Sequence, residues 1–392
     1  MKRIAAFLVA FALFLVSVAG FHVYTRNGIT MNNKEFGTWV NIYKDMSRDA
    51  IANNLGKNTM LVMGSSEFQH GRKTPFHPRY VFKNSNRDLM LVGAPYTQCL
   101  FHTTLLGGVE NAMPKRDVIL LLSPSWFKAE GIRGNGFAAR FSESEYIAFM
   151  SNKKISKDIK MRVMQSTYSK LGNFPDMRSR VLRYDNVLMS ENAHIDDKLY
   201  VLGRRDFLRE RDHVNVMTAL KTTNIKKNGN KKQKETRYGA INWDGLMKKA
   251  ELADREKSQN NAFYMKDKFY NRKIAPVMKI KKDSYVYVNC TEVPEYYDLE
   301  TFLMLCKERG IHAHIVLLPV NGYWYDYTGL TEDERDQLSR QVGALITSYG
   351  QSFYDMSNYS YEPYFFEDAV HPAGKGWLTI DEQIDKIYRE NF

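Results

Sequence analysis

Cysteine and proline are scarce in this chain of 392 residues, which has 3 cysteines and 11 prolines. The three cysteines, Cys99, Cys290 and Cys306, are too few and too scattered for a disulfide framework or a cysteine-based zinc site, and they are predicted to be small buried apolar side chains. The sequence also lacks a glycine-rich phosphate loop and a nucleotide-binding fingerprint, so any use of ATP would belong to a partner protein. We therefore expect no cofactor and no metal.

Long apolar runs are absent except at the N-terminus, where Lys2 and Arg3 precede an uncharged run from Ile4 to Val23. Twenty helical residues span about 30 Å, which is enough to cross the hydrocarbon core of a bilayer. Cations before the run and a long polar chain after it predict a single-pass protein of the cell membrane. Its N-terminus would be cytoplasmic and its bulk extracellular. A cleaved signal peptide is the alternative, because residues 17–19 (Ser-Val-Ala) resemble a cleavage site.

The composition is that of a folded, basic protein, with 44% hydrophobic residues and a net charge of +12. Such a balance favours polyanions or anionic lipid surfaces as partners. Nucleic acid is not an expected partner, because the cations follow no recognised module and the chain is predicted to face outward. The most basic stretch, residues 226–237, is predicted to be a mobile loop, and a solvated loop is favoured there over contact with a polyanion.

Five short apolar runs, closed by turn-forming residues, predict strands that are buried on both faces of a mostly parallel sheet. Helical patterns lie between them, which predicts an α/β fold with helices on both sides of a five-stranded sheet. The predicted strands are Thr59–Met63, Asp88–Val92, Val118–Leu122, His314–Leu318 and Ser352–Met356.

A long, mainly helical stretch separates the third predicted strand from the fourth and divides the α/β domain into two parts. We therefore predict a membrane anchor over residues 1–25 and the first part of a catalytic domain over 26–127. A helical insertion would follow over 128–285, and the second part of the catalytic domain over 286–392.

Two short motifs carry the predicted chemistry, a serine after the first strand and an Asp-x-x-His near the C-terminus. His371 would take the proton of the Ser66 hydroxyl, and Asp368 would orient the imidazole. Ser65 is the neighbouring candidate, and we favour Ser66. Both motifs follow predicted strands, and sites in open α/β sheets form beyond the carboxyl ends of strands. The pattern indicates acyl transfer or ester hydrolysis.

Residues at three other strand ends complete the predicted site. The backbone N–H groups of Ser66 and Gly93 are the expected oxyanion donors, with Ser125 after the third strand as a side-chain candidate. After the fourth strand, Asn321, Trp324 and Tyr325 would either line a substrate groove or pack the loop.

Two histidines at the start of the fourth strand, His312 and His314, are two residues apart and would therefore lie on the same face. No carboxylate cluster joins them in the sequence, so we predict a structural role rather than a metal site.

This order of motifs resembles the SGNH/GDSL hydrolase superfamily, which has a serine after strand one, a glycine after strand two and Asp-x-x-His near the end. The resemblance implies a three-layer SGNH-like sandwich and aligns Ser66 with the nucleophile. The superfamily's Gly-x-Asn-Asp block is missing, and residues 123–125 (Ser-Pro-Ser) stand in its place.

Five longer stretches resemble the DltD family of lipoteichoic acid D-alanylation in Gram-positive bacteria. That family usually has glutamine where Ser125 stands, and Leu-Gly-Trp after the histidine where this chain has Pro-Ala-Gly. The stretches that carry the resemblance are Gly64-Ser-Ser-Glu67, Pro75-Phe-His-Pro78, Ser123-Pro-Ser-Trp-Phe127, Asn321-Gly-Tyr-Trp-Tyr-Asp-Tyr-Thr-Gly329 and Tyr361–His371 followed by Gly376-Trp377.

The DltD resemblance implies transfer of a D-alanyl group onto lipoteichoic acid outside the membrane, through an ester on the serine. It implies three partners: lipoteichoic acid as the polyanionic acceptor, the membrane-bound O-acyltransferase of the pathway, and the D-alanyl carrier protein. Two alternatives stay open. One is a thioesterase or esterase that hydrolyses D-alanyl carrier protein or D-alanyl esters, and the other is a scaffold that binds the carrier or the polymer without catalysis.

Overall fold

A five-stranded sheet forms the centre of the computed structural model, which describes residues 2–190, 192–228, 240–285 and 293–392. All neighbouring strands run parallel, in the order β2-β1-β3-β4-β5, so the predicted α/β sheet is confirmed. The strands of this part of the chain are β1 Thr59–Met63, β2 Asp88–Val92, β3 Asp117–Leu122, β4 His312–Leu317 and β5 Ser352–Asp355.

Strands β3 and β4 both begin earlier than their apolar runs indicate. The reason is that Asp117 pairs with His312 in the ladder, although both side chains are polar. Backbone pairing sets the end of a strand, whereas the apolar run marks only its buried part.

Helices cover both faces of the sheet, as predicted. A capping box starts the helix Glu332–Ser348, because the Thr331 side chain accepts the Glu334 N–H while the Glu334 carboxylate accepts the Thr331 N–H. The α-helices of the described residues are α1 Lys2–Ile29, α2 Lys34–Gly37, α3 Ile42–Asp45, α4 Arg48–Ala52, α5 Pro78–Val81, α6 Cys99–Val109, α7 Gly134–Arg140, α8 Glu143–Ser151, α9 Lys157–Lys170, α10 Pro175–Leu188, α11 Ile195–Leu220, α12 Trp243–Arg255, α13 Asp267–Phe269, α14 Met278–Lys281, α15 Pro294–Arg309, α16 Gly322–Thr328, α17 Glu332–Ser348 and α18 Gly374–Asn391.

Alternate residues of each strand enter different cores, which makes the fold three layers thick. Leu61 and Met63 of β1 belong to one apolar cluster, whereas Met60 and Val62 belong to another. Helices α6, α8 and α15 pack on the first side, and α12 and α18 pack against each other on the second. Burial on both faces explains the continuous apolar runs of the strands.

The predicted helical insertion, residues 128–285, is helical but is shared between the two sides of the sheet. Helices α8 to α11 extend the layer that contains α6 and α15, whereas α12 packs against α18. The division into domains stays a prediction.

Helix α1 is long and apolar enough to cross a membrane, by length and composition. Its last turns pack on α11, where Thr25 and Ile29 are buried. The Thr25 hydroxyl donates a hydrogen bond of 2.7 Å to Glu210 Oε2. The helix therefore continues past residue 25, the predicted end of the anchor, and joins the folded domain without a break.

Cys99 and Cys306 are free and buried, as predicted, whereas Cys290 lies outside the described residues. Most of the basic stretch 226–237 also lies outside them, so its predicted mobility stays a prediction.

Candidate active site

A tight turn at the carboxyl end of β1 presents the two serines in different directions. Gly64 is needed because a Cβ there would lie 2.2 Å from Oε1 of Glu67. The same Oε1 accepts the Ser65 N–H at 2.6 Å, so Glu67 folds back over the turn. Ser65 Oγ donates to the carbonyl oxygen of Ala94 at 3.1 Å, which leaves Ser66 to start the 3-10 turn Ser66–Gln69 with a different partner.

That partner is His371, and Asp368 stands behind it. Ser66 Oγ lies 2.8 Å from His371 Nε2, and His371 Nδ1 lies 2.7 Å from Asp368 Oδ2. The other carboxylate oxygen, Oδ1, accepts the backbone N–H groups of Val370 and His371 at 2.9 and 2.8 Å. The loop thus fixes the carboxylate, and the carboxylate fixes the imidazole. The structure brings the three predicted residues together in the predicted order.

The electrostatics of this pair favour an ionised aspartate and a basic histidine. Burial opposes ionisation of Asp368, but hydrogen bonds from His371 and from two backbone N–H groups outweigh it and hold the pKa of Asp368 below its usual value. Burial likewise opposes the imidazolium of His371, but the Asp368 carboxylate outweighs it and raises the pKa of His371. A histidine of this kind accepts a proton readily and keeps its orientation.

A second histidine, His70, stacks on His371 with ring centroids 3.7 Å apart and planes inclined by 8°. His70 Nδ1 lies 3.4 Å from Oε1 of Glu367, whose Oε2 accepts a hydrogen bond of 2.8 Å from Lys266. Burial opposes ionisation of Glu367, yet His70 and Lys266 lower the pKa of this carboxyl to about 2.

His70, Glu367 and Lys266 are not among the site residues predicted from the sequence. Two signals were present, since His70 is four residues after Ser66 and Glu367 directly precedes Asp368. No sequence signal pointed to Lys266, because it is distant in sequence from both motifs.

The three predicted oxyanion donors lie in different surroundings. The Ser66 N–H hydrogen-bonds to no other described residue. The Gly93 N–H lies 3.4 Å from Oδ2 of buried Asp45, and a Cβ on Gly93 would lie 2.6 Å from the backbone of Gly64. Gly93 thus allows two strand ends to pack closely.

Ser125, the side-chain candidate, shares a hydrogen bond of 2.8 Å with the Ser123 hydroxyl. It lines a small apolar cavity together with Tyr325. Within the described residues, no hydrogen bond joins Ser125 or Gly93 to Ser66, His371 or Asp368. Among the three, the Ser66 N–H is the donor that the contacts leave available.

Asn321 and Trp324, predicted for a substrate groove, are occupied by contacts that pack the loop. The Asn321 side chain accepts the Trp324 N–H at 3.0 Å, which caps α16, and donates to the Phe263 carbonyl oxygen at 2.8 Å. Trp324 meets the Phe263 ring edge-on at 5.3 Å between centroids. The geometry favours the alternative that these two residues pack the loop.

His312 and His314 lie beside one carboxylate, that of Asp117, which the sequence did not indicate. Asp117 Oδ1 lies 3.4 Å from His312 Nδ1 and 3.3 Å from His314 Nε2. Asp117 was missed because it reaches the histidines across the β3–β4 ladder. The cluster lies at the amino ends of the strands, on the edge opposite Ser66. Its structural role stays a prediction.

A hydrogen-bonded serine, histidine and aspartate at the carboxyl ends of parallel strands is the arrangement of α/β serine hydrolases and acyltransferases. Comparison with known proteins gives the family. The profile of the family described as DltD protein matches residues 33–389, so the chain belongs to the DltD family. The resemblance to the DltD family found in the sequence is thereby confirmed.

Curated relatives are similar to the chain over most of their length. The protein DltD of Staphylococcus aureus (strain NCTC 8325 / PS 47) is 25% identical over 83% of this chain and 80% of its own. The protein DltD of Bacillus subtilis (strain 168) is 26% identical over 84% and 82%. The protein DltD of Lacticaseibacillus rhamnosus is 24% identical over 84% and 77%.

Proposed function

We propose that the chain is an extracytoplasmic serine acyltransferase that transfers a D-alanyl group onto lipoteichoic acid through an ester on Ser66. The DltD family is involved in D-alanylation of teichoic acid. The observation that carries the finer proposal is the hydrogen-bonded chain from Ser66 through His371 to Asp368.

In the acylation step, Ser66 Oγ attacks the carbonyl carbon of the D-alanyl donor while His371 Nε2 takes the hydroxyl proton. Asp368 stabilises the imidazolium that forms. In this proposal the Ser66 N–H donates to the developing oxyanion. Collapse of the tetrahedral intermediate breaks the bond to the leaving group, which takes the proton back from His371. The product is D-alanyl-Ser66.

In the transfer step, a hydroxyl of the acceptor attacks the D-alanyl ester, and His371 accepts its proton and returns it to Ser66 Oγ. Water in place of the acceptor would give hydrolysis, so the esterase alternative uses the same side chains. An acceptor bound beside Ser66 favours transfer, because it both supplies the hydroxyl and excludes water.

The proposed topology places α1 in the membrane, with a cytoplasmic N-terminus and the α/β domain outside. In that arrangement, the membrane-bound O-acyltransferase of the pathway is the proposed neighbour in the bilayer. The D-alanyl carrier protein is a further proposed partner, although an outward domain disfavours a cytoplasmic carrier as the substrate of Ser66.

The test is intact mass spectrometry of the full chain in detergent after exposure to a serine-reactive fluorophosphonate. We expect one adduct in the wild type and in Ser65→Ala, and none in Ser66→Ala or His371→Ala. An unlabelled wild type would contradict an activated serine. A second experiment tests the scaffold alternative by expressing Ser66→Ala in a strain that lacks the protein. A scaffold would restore D-alanylation in that strain, whereas an acyltransferase would not.

A further inference from the structure

A shallow hollow beside the candidate active site is lined mainly by cations. We propose that this hollow binds the phosphodiester backbone of the acceptor polymer and holds a nearby hydroxyl at Ser66, an inference that rests on the proposed function. Its cationic side chains, called the basic rim, are Lys266, Lys268, Arg272 and Lys273, and Phe269 and Glu367 complete the lining.

The basic rim is joined to the predicted catalytic side chains through Glu367. This residue lines the hollow and also contacts His70, which stacks on His371. The Lys266 N–H donates to the Glu367 carbonyl oxygen at 3.1 Å, and the Lys266 ammonium bonds the Glu367 carboxylate. A polymer bound in the hollow would therefore lie next to the Ser66–His371 pair.

Three cations of the basic rim are available for a ligand. Lys268, Arg272 and Lys273 are exposed, and none forms an ion pair or hydrogen bond with another residue in the described part of the chain. Asp267, the acid among them, is occupied by the backbone N–H groups of Gln259 and Asn260 at 3.1 Å each. A run of unpaired cations is the arrangement that a string of phosphates neutralises.

The segment that carries the basic rim is fixed by packing rather than loosely attached. Phe263 and Ile274, on either side of the rim, are each 6% exposed and belong to one apolar cluster with Trp324. Asn321 donates to the carbonyl oxygen of Phe263. Asn321 and Trp324, for which the sequence left a substrate groove and loop packing both open, thus contribute indirectly by holding the cations beside the site.

A phosphodiester polymer fits this position better than a membrane lipid does. Each hydroxyl of such a polymer has phosphates on either side, so cations beside Ser66 can hold the phosphate next to the reacting hydroxyl. Helix α1 packs on α11, and no residue of either helix lines the hollow.

The experiment measures binding of unesterified poly(glycerol phosphate) to the full chain in detergent, at several salt concentrations. The test variant is Lys268→Gln/Arg272→Gln/Lys273→Gln. The matched control, Lys279→Gln/Lys281→Gln/Lys282→Gln, removes the same charge from a neighbouring stretch that does not line the hollow. Fluorophosphonate labelling of Ser66 is measured on each variant, and vesicles of phosphatidylglycerol are the second probe.

We expect the test variant to bind the polymer about tenfold more weakly and with a flatter salt dependence, while the control binds like the wild type. Ser66 labelling should persist in both variants. Unchanged polymer binding in the test variant would overturn the proposal, as would an equal loss in the control, which would indicate net charge alone. A loss of vesicle binding with intact polymer binding would make the rim a lipid contact and also overturn it. Failure of labelling in the wild type would instead count against the proposed function.

Discussion

The two ends of the central sheet each carry a serine, a histidine and an aspartate in contact, yet they differ in almost every physical respect. At the carboxyl end, His371 lies 2.8 Å from Ser66 Oγ and 2.7 Å from the Asp368 carboxylate. At the amino end, His312 lies 2.9 Å from Ser352 Oγ but 3.4 Å from the Asp117 carboxylate.

Burial and backbone support separate the two clusters. The His371 side chain is 16% exposed and the His312 side chain 45%. Two backbone N–H groups also hold Asp368 in place. Ser66 starts a turn, and its N–H has no hydrogen-bond partner among the residues that the structure describes. Ser352 lies within a strand, where it pairs with His314. Contact between a serine, a histidine and an aspartate is therefore not sufficient for catalysis. A nucleophile also needs a base held in a fixed orientation and donors that stabilise the negative charge of the oxyanion.

The largest expected difference between the two ends concerns their serines. Ser66→Ala should lower D-alanyl transfer by at least about 10⁴-fold, because the acyl-enzyme cannot form. Ser352→Ala should stay within about twofold of the wild type, since the proposal gives it no role in acyl transfer. Transfer of radiolabelled D-alanine in membranes measures both variants. Equal losses of transfer in the two variants would contradict a catalytic role for Ser66 alone.

The two aspartates should differ almost as much. Asp368→Asn should lower kcat by about 10³- to 10⁴-fold, because the amide favours the wrong tautomer of His371. Asp117→Asn should change kcat by less than about twofold. A fall in kcat for Asp117→Asn, with folding intact by circular dichroism, would show that the amino-end cluster contributes to the reaction.

Two glycines, one at each end of the sheet, allow the loss of stability caused by a steric clash to be compared with the loss caused by an unfavourable backbone conformation. Gly93→Ala should destabilise the fold by about 1–3 kcal/mol, because its Cβ would lie 2.6 Å from the Gly64 backbone. Gly310→Ala should cost about 1 kcal/mol, since its φ of +58° is unfavourable for alanine although nothing lies within 4 Å. Denaturant unfolding measures both, and only Gly93→Ala should also slow labelling of Ser66.

The smallest expected effect is a shift in pH dependence. Glu367 helps to raise the pKa of His371, and the reaction needs neutral His371. Glu367→Gln should therefore lower that pKa and move the acid limb of kcat/KM to lower pH, by less than about one unit. Glu390→Gln, whose carboxylate acts on the amino-end residue His314, should leave the limb unchanged. A shift of the limb to higher pH in Glu367→Gln would contradict the assignment.

The parts of the molecule that the sequence predicted well are those set by neighbours along the chain. Apolar runs ending in turns marked β1 and β2 to the residue, because burial on both faces requires such runs. The Asp-x-x-His pair was visible because three residues suffice to bring Asp368 and His371 into contact.

The parts that escaped prediction depend on register and on contacts between distant segments. Asp117 meets His312 only through the pairing of β3 with β4, and Lys266 meets Glu367 only once the segment around Phe263 has packed. The capping role of Asn321 could have been predicted from the sequence, because asparagine before a helical run is a common N-cap.

The unbroken passage from α1 into the folded domain has a mechanical consequence. The last turns of α1 are buried against α11, so no slack tether separates the helix from the domain. With α1 in the membrane as proposed, the domain would therefore move with the helix and stay close to the lipid surface. On the proposed function, Ser66 would then have a short reach above the membrane, and successive hydroxyls of the acceptor chain would have to come to it.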